Sequence, residues 1–163
     1  MWLTLASTAL ASCSPALAGP TPALPPPDAP FTEEARIDGL VARWRVDGDD
    51  WVVQLEAATT GWLVLGTNPV PGLTGASLYF GRVVDGIGDA AHHTVLAPGR
   101  HEAANPERVT LLAAAQQDGA TAVRLRFPAP VVDADGGTWL ILAWSRSPDL
   151  DHHSAVRQHV YVR

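Results

Sequence analysis

Apolar and polar residues alternate with a period of two along most of this chain, and turn residues break the alternation at short intervals. Leu40, Ala42, Trp44 and Val46 alternate with Val41, Arg43 and Arg45. Gly48-Asp49-Asp50 then turns the chain into Trp51, Val53 and Leu55, interleaved with Val52, Gln54 and Glu56. Successive side chains of a strand point to opposite sides, so this pattern predicts a hairpin with one buried face. Gly61-Trp62-Leu63-Val64-Leu65-Gly66 and Trp139–Trp144 are apolar throughout and are predicted as strands covered on both faces. Ala76–Val84 reads as a further strand, ended by Asp85-Gly86. Val109, Leu111, Ala113 and Ala115 alternate up to an Asp118-Gly119 turn, from which Val123, Leu125 and Phe127 return, and His159–Arg163 forms a short closing strand. Pro128 and Pro130 exclude helix after Phe127, and no segment keeps a helical period over three turns. About eight or nine short strands predict an all-β fold, an antiparallel β-sandwich of immunoglobulin-like type.

The first thirty residues depart from that pattern. Trp2–Ala11 is a run of apolar and small residues, shorter than the roughly 20 needed to span a bilayer and suited to the apolar region of a signal peptide. Leu10-Ala11-Ser12-Cys13 resembles the lipobox of bacterial lipoproteins, which predicts lipidation of Cys13; Ala16-Leu17-Ala18 offers an ordinary cleavage site as the alternative. The expected organisation is a signal segment over 1–18, a Pro-rich tether over 19–33 in extended polyproline geometry, and a sandwich domain over 34–163. An exported protein follows, periplasmic or on the cell surface, held by a lipid anchor.

Composition narrows the chemistry. With 47% apolar and 17% charged residues, the chain can build a globular core. Seventeen acidic residues face eleven basic ones, all Arg, for a net charge of −6. An acidic domain without a basic stripe has no electrostatic footprint for nucleic acid. Cys13 is the single cysteine and Met1 the single methionine, so a processed domain has no thiol for disulfides, zinc or catalysis. The sequence contains no Gly-x-Ser-x-Gly elbow, His-Glu-x-x-His helix or Gly-rich phosphate loop. Ser145 and Ser154 lie near His153, but nearness along a chain does not make a triad. A binding module is expected, not an enzyme.

The order of certain segments resembles a DOMON domain, the β-sandwich family that includes the cytochrome domain of cellobiose dehydrogenase. The resemblance is carried by Gly61–Gly66, by Gly72-Leu73-Thr74-Gly75-Ala76 leading to Gly81-Arg82-Val83-Val84-Asp85-Gly86, and by Leu140–Ser145 followed by Asp149-Leu150-Asp151-His152-His153-Ser154. It implies a sandwich that binds haem or a sugar-like ligand. In haem-binding members a Met before the Gly-Ala step and a His after the Ala-Trp strand are the axial ligands. The His matches His153 or its neighbour His152, whereas the Met position is Leu73, which cannot ligate iron. With no Lys in the chain, haem b would need two His, or one His and an open site.

In an extended segment Asp149, Asp151 and His153 would share one side, a set suited to Zn, Cu or non-haem Fe. His92 and His93 are expected on a surface loop near Asp89, with the sharper alternative that one meets His153 across the sandwich in place of the missing Met. His153, His92, His93 and Asp151 are thus the candidate metal ligands, and copper stands behind haem b as the cofactor. His101 and His159 are expected to be ordinary surface residues. Trp62 and Trp144 are expected in the core; a sugar site would use Trp51 or Tyr79 with Asn68 or Arg82. Asp133 and Asp135, beside Gly136-Gly137, are expected to serve the turn. The function expected is a non-hydrolytic module for haem or a small sugar-like ligand, paired with an envelope redox partner. The alternatives are a docking module for another envelope protein and an accessory module of a copper-dependent redox system.

Overall fold

The computed structural model describes residues 20–163; the expected signal segment, lipobox and Cys13 lie outside the described residues. Among the described residues, eleven strands form two antiparallel sheets. The five-stranded sheet runs in the order β1 (Glu33–Ile37), β2 (Leu40–Asp47), β3 (Asp50–Ala57), β9 (Ala120–Pro128), β8 (Thr110–Gln117). The six-stranded sheet runs β11 (Val156–Val162), β10 (Thr138–Trp144), β4 (Leu63–Asn68), β5 (Ser77–Val84), β6 (Ile87–Ala97), β7 (Arg100–Ala103). Among the described residues the sole helical element is a 3₁₀ turn at Pro106–Arg108, capped by the Asn105 side chain.

The turns follow from the residues placed at them. Asp85-Gly86 and Asp118-Gly119 close two-residue hairpins with both residues at positive φ, 52° and 78° in the first and 51° and 78° in the second. That is the turn whose twist matches the flanking strands, and Asp-Gly tolerates it best. One face of each sheet then meets the other sheet. Leu40, Trp44, Leu55, Leu63, Leu65, Tyr79, Leu125, Phe127, Leu140 and Leu142 make this interlayer core. Tyr79 stacks on Phe127 with ring centroids 3.9 Å apart and planes 4° from parallel. Gly81 is required there, because a Cβ would meet Val123 Cγ2 at 2.6 Å.

β4 and β10 are buried on both faces, as their unbroken apolar runs predict. Their inner residues join the interlayer core, while Trp62, Val64, Leu78, Phe80, Ile141 and Ala143 form a second apolar cluster on the outer face of the six-stranded sheet. A free sheet face would carry polar residues; this one is covered by the loop between β10 and β11.

The structure adds strands where the alternation is weak. β6 contains Gly88, Asp89 and three Ala, residues depleted in strands, yet it pairs with β5 through eight consecutive residues from Ser77↔Thr94 to Val84↔Ile87. His92 and His93 therefore lie in a strand and are buried, not on a surface loop. β1 is a charged edge strand, β7 is a four-residue one, and the closing strand begins three residues earlier than predicted. Val46, expected on the buried face of its hairpin, is 63% exposed at the strand's end. The Pro-rich stretch also touches the domain: Arg124 donates to the Pro25 carbonyl at 2.8 Å and sits over the Phe31 ring.

Candidate ligand-binding cavity

The outer face of the six-stranded sheet carries a cavity of about 120 Å³, floored by the apolar cluster and walled by three loop segments. Trp62, Val64, Leu78, Phe80, Ile141 and Ala143 form the floor, and Trp62 meets Phe80 edge to face with centroids 5.2 Å apart. Leu73 closes one side, Gly99 to His101 another, and Asp151 to Ser154 the third, with Arg157 beside them.

Each wall is held by backbone geometry. The Leu73 loop is fastened by Gly75 donating to the Val95 carbonyl (2.8 Å) and by Val95 donating to that of Ala76 (3.0 Å). Asn68, 2% exposed, holds the same loop from beneath by donating to the carbonyls of Gly72 and Thr74. The segment after β10 is tied down more heavily. Trp62 Nε1 donates to the Asp149 carbonyl (3.0 Å), Arg82 to that of Pro148 (2.7 Å), and Ser145 Oγ to that of His153 (3.1 Å). In the backbone, the Ser145 amide donates to the Trp62 carbonyl (2.9 Å) and the Trp62 amide to that of Ser147 (3.1 Å). Gly61 admits this close approach: a Cβ there would collide with the Ser145 carbonyl. These contacts present Asp151, His152 and His153 to the cavity on a braced loop.

The histidines divide by face. Directly opposed residues of antiparallel strands share a face, so Leu78↔His93 places His93 outside and Tyr79↔His92 places His92 between the sheets. Val95↔His101 puts His101 on the outer face as well. His93 and His101 meet there, Nδ1 to Nδ1 at 2.8 Å, with Phe80 packed against both rings. Burial holds the His93 imidazole below its ordinary value, and the neighbouring His101 and His92 push the same way while Asp151 opposes them. On the inner side, His92 stacks on Tyr79, and its Nδ1 meets the Asn105 carbonyl at 3.1 Å. Its Nε2 is buried without a partner. Burial lowers the His92 value too, opposed by that carbonyl and assisted by Arg108.

The residues picked out by sequence are thus partly assembled. Leu73, Asp151, His152 and His153 all reach the one cavity, and His93 stands behind its wall through His101. His92 faces the other way and does not join them. Residues 149–152 form a turn, with His152 donating to the Asp149 carbonyl and the Asp149 carboxylate accepting from the Asp151 amide. The extended arrangement expected for Asp149, Asp151 and His153 is therefore absent, and Asp149 does not line the cavity. Among the described residues no three His, Cys, Asp or Glu stand close enough to hold a metal ion by themselves. His101, expected on the plain surface, is part of the wall. Only its place opposite Val95 reveals that, and nothing in the sequence around it does.

The aromatic platform expected for a sugar is not formed. Trp51 stacks on Trp44 inside the sandwich and Tyr79 is 2% exposed. Asn68 is committed to its loop, and Arg82 to Asp89 and Pro148. Trp62 is buried as expected, while Trp144 is only half-buried and donates to the Asp38 carbonyl. Asp133 does serve its turn, accepting from the Asp135 and Gly137 amides.

The architecture is an open two-sheet sandwich with a cavity on an outer sheet face. No protein-family model matches the sequence, and no curated protein matches it. Solved structures do. The chain is similar to the cytochrome b domain of pyranose dehydrogenase from Coprinopsis cinerea, at 12% identity and a TM-score of 0.59 over 76% of this chain and 75% of that one. It is also similar to the cytochrome domain of Myriococcum thermophilum cellobiose dehydrogenase, at 11% identity and a TM-score of 0.54 over 82% of this chain and 74% of that one. At such identities the likeness is one of fold: the chain has the DOMON-like sandwich that its motifs suggested.

Proposed function

We propose that this chain is a haem-binding module, itself non-catalytic, that exchanges electrons with a partner protein of the cell envelope. The observation that carries the reading is the convergence of Leu73 and His153 on one apolar cavity, since the motifs place the family's two ligand positions at those residues. The donor set suits haem b: a neutral imidazole is an ordinary axial ligand to its iron, and aromatic and aliphatic side chains floor the site. Arg100 and Arg157 stand at the rim without ion-pair partners among the described residues, placed for a ligand bearing two carboxylates. Bound haem would supply a one-electron couple. The protein's part is to ligate through His153, to exclude water with the Trp62–Phe80 floor, and to set charge at the rim.

Hemin titration of the purified chain tests this. A saturable Soret band at one haem per chain, lost in His153→Ala, is the expected result; no stoichiometric band in the wild type would sink the reading. The volume of about 120 Å³ lies below the 300–1,000 Å³ usual for drug-sized ligands, so haem requires the 99–101 and 151–154 walls to part. The same small volume favours a second reading, a small polar ligand. Thermal-shift screening of sugars and small acids against the hemin-negative protein would identify it.

Export and anchoring belong to the same proposal. The Leu10–Cys13 pattern and the absence of any other cysteine support a lipid anchor at Cys13. Metabolic labelling with a fatty acid, lost in Cys13→Ala, is expected; unlabelled wild type in the soluble fraction would refute the anchor.

A further inference from the structure

The geometry points to His101 as the second axial ligand of the haem site, in the place that Leu73 leaves without a donor, and to His93 as the residue that positions it. This rests on the haem reading above and names the ligand set within it.

The chain has six histidines, and the fold eliminates most of them. His92 lies between the sheets. His159 is opposite Ile141 on the outer face but exposed, outside the cavity lining. His93 is 9% exposed and does not line the cavity. His152 and His153 are successive residues of one loop, so they approach a planar ring from one side; its opposite face needs a donor from another segment. His101 is that donor. It enters the same cavity from β7, a segment the chain reaches far from the His153 loop.

Its tautomer can be matched to the task. A metal-ligating imidazole nearly always donates its other N–H to an acceptor, which fixes the ring and makes the ligating nitrogen more basic. His101 Nδ1 meets His93 Nδ1 at 2.8 Å. The two rings share one hydrogen bond at that distance, and with the proton on His101 Nδ1 the bare lone pair of Nε2 is left for a metal. No hydrogen bond within the described residues engages that Nε2. His93 is in turn locked by the Phe80 ring at 5.2 Å and by the strand pair Leu78↔His93.

The test reconstitutes the full chain with hemin and reads optical and low-temperature paramagnetic resonance spectra. The wild type is expected to be six-coordinate and low-spin. His101→Ala should retain haem on His153 yet turn high-spin, and added imidazole should restore the low-spin spectrum; the rescue separates ligand loss from misfolding. His101→Met should show the sulfur-to-iron charge-transfer band of Met–His ligation. His93→Ala should remain low-spin, bind hemin about tenfold or more weakly, and show a raised reduction potential, because the ligand loses the acceptor that made it basic. A reconstituted His101→Ala that stays low-spin overturns the assignment and leaves the haem reading intact. Failure of the wild type to bind hemin at all overturns both.

Discussion

Individual side chains gain their roles here from the face of the strand on which they fall. His92 and His93 are neighbours in sequence and identical in chemistry, yet one stacks on Tyr79 between the sheets and the other borders an outer cavity. The His92 position has a consequence for acid stability. Its folded value is lowered, by burial first, while in the unfolded chain it titrates near its ordinary 6.5. The unfolded state then binds the extra proton as pH falls below about 6.5, so stability present above that pH is progressively lost beneath it. Urea midpoints should fall between pH 7.5 and pH 5, and His92→Gln should show a smaller fall. At the rim, Arg100→Ala and Arg157→Ala should each weaken hemin binding by no more than about fivefold, the range of exposed ion pairs. The loss should shrink in high salt as those charges are screened; an effect insensitive to salt would place the arginines elsewhere.

Strands and loops, rather than single residues, build the cavity. β4, β5 and β10 are apolar on both faces, so that the sheet can bury one side against its partner and offer the other as a floor. The loop after β10 becomes a wall because Trp62, Arg82 and Ser145 tie its backbone down. Gly61 is the point of closest approach in that arrangement. Gly61→Ala should destabilise the fold by about 1–3 kcal/mol, the usual cost of overpacking, and should loosen the 145–155 segment most. Hydrogen exchange at the Trp62, Ser145 and Ala155 amides would report it; unchanged protection would show that the loop does not depend on the close approach. The strand runs and Asp-Gly turns that set these elements were readable from alternation and turn chemistry. β6 and β7 were not, because Gly, Asp and Ala carry little strand signal of their own and join the sheet through pairing with β5.

For the molecule as a whole, residues 20–31 decide where the domain ends. Read as composition, the Pro-rich stretch is a tether. In the structure it reaches Arg124 through the Pro25 carbonyl and Phe31. A charged hydrogen bond of about 1.5–3 kcal/mol where buried, discounted here for partial exposure, and a cation–π contact of about 0.5–1 kcal/mol would together act as a strap. Removing residues 19–31 should lower the melting temperature by about 4 °C or more; an unchanged value would leave the segment a tether only.

The sequence by itself determined the all-β class, the strand end at Asp85-Gly86, the hairpin at Asp118-Gly119, the doubly buried central strands, and the loss of Met, Cys and Lys as ligands from any processed domain. These are local properties: side-chain period, backbone preference at turns, and composition. Tertiary structure alone decided that Leu73, His101 and His153 share one cavity. It also decided that His93 supports His101 while His92 is turned away, and that Trp51, Tyr79 and Asn68 are structural rather than a platform for sugar. Those outcomes depend on which strands pair and in what register, and a one-residue shift of β6 or β7 would exchange the faces of every histidine they carry.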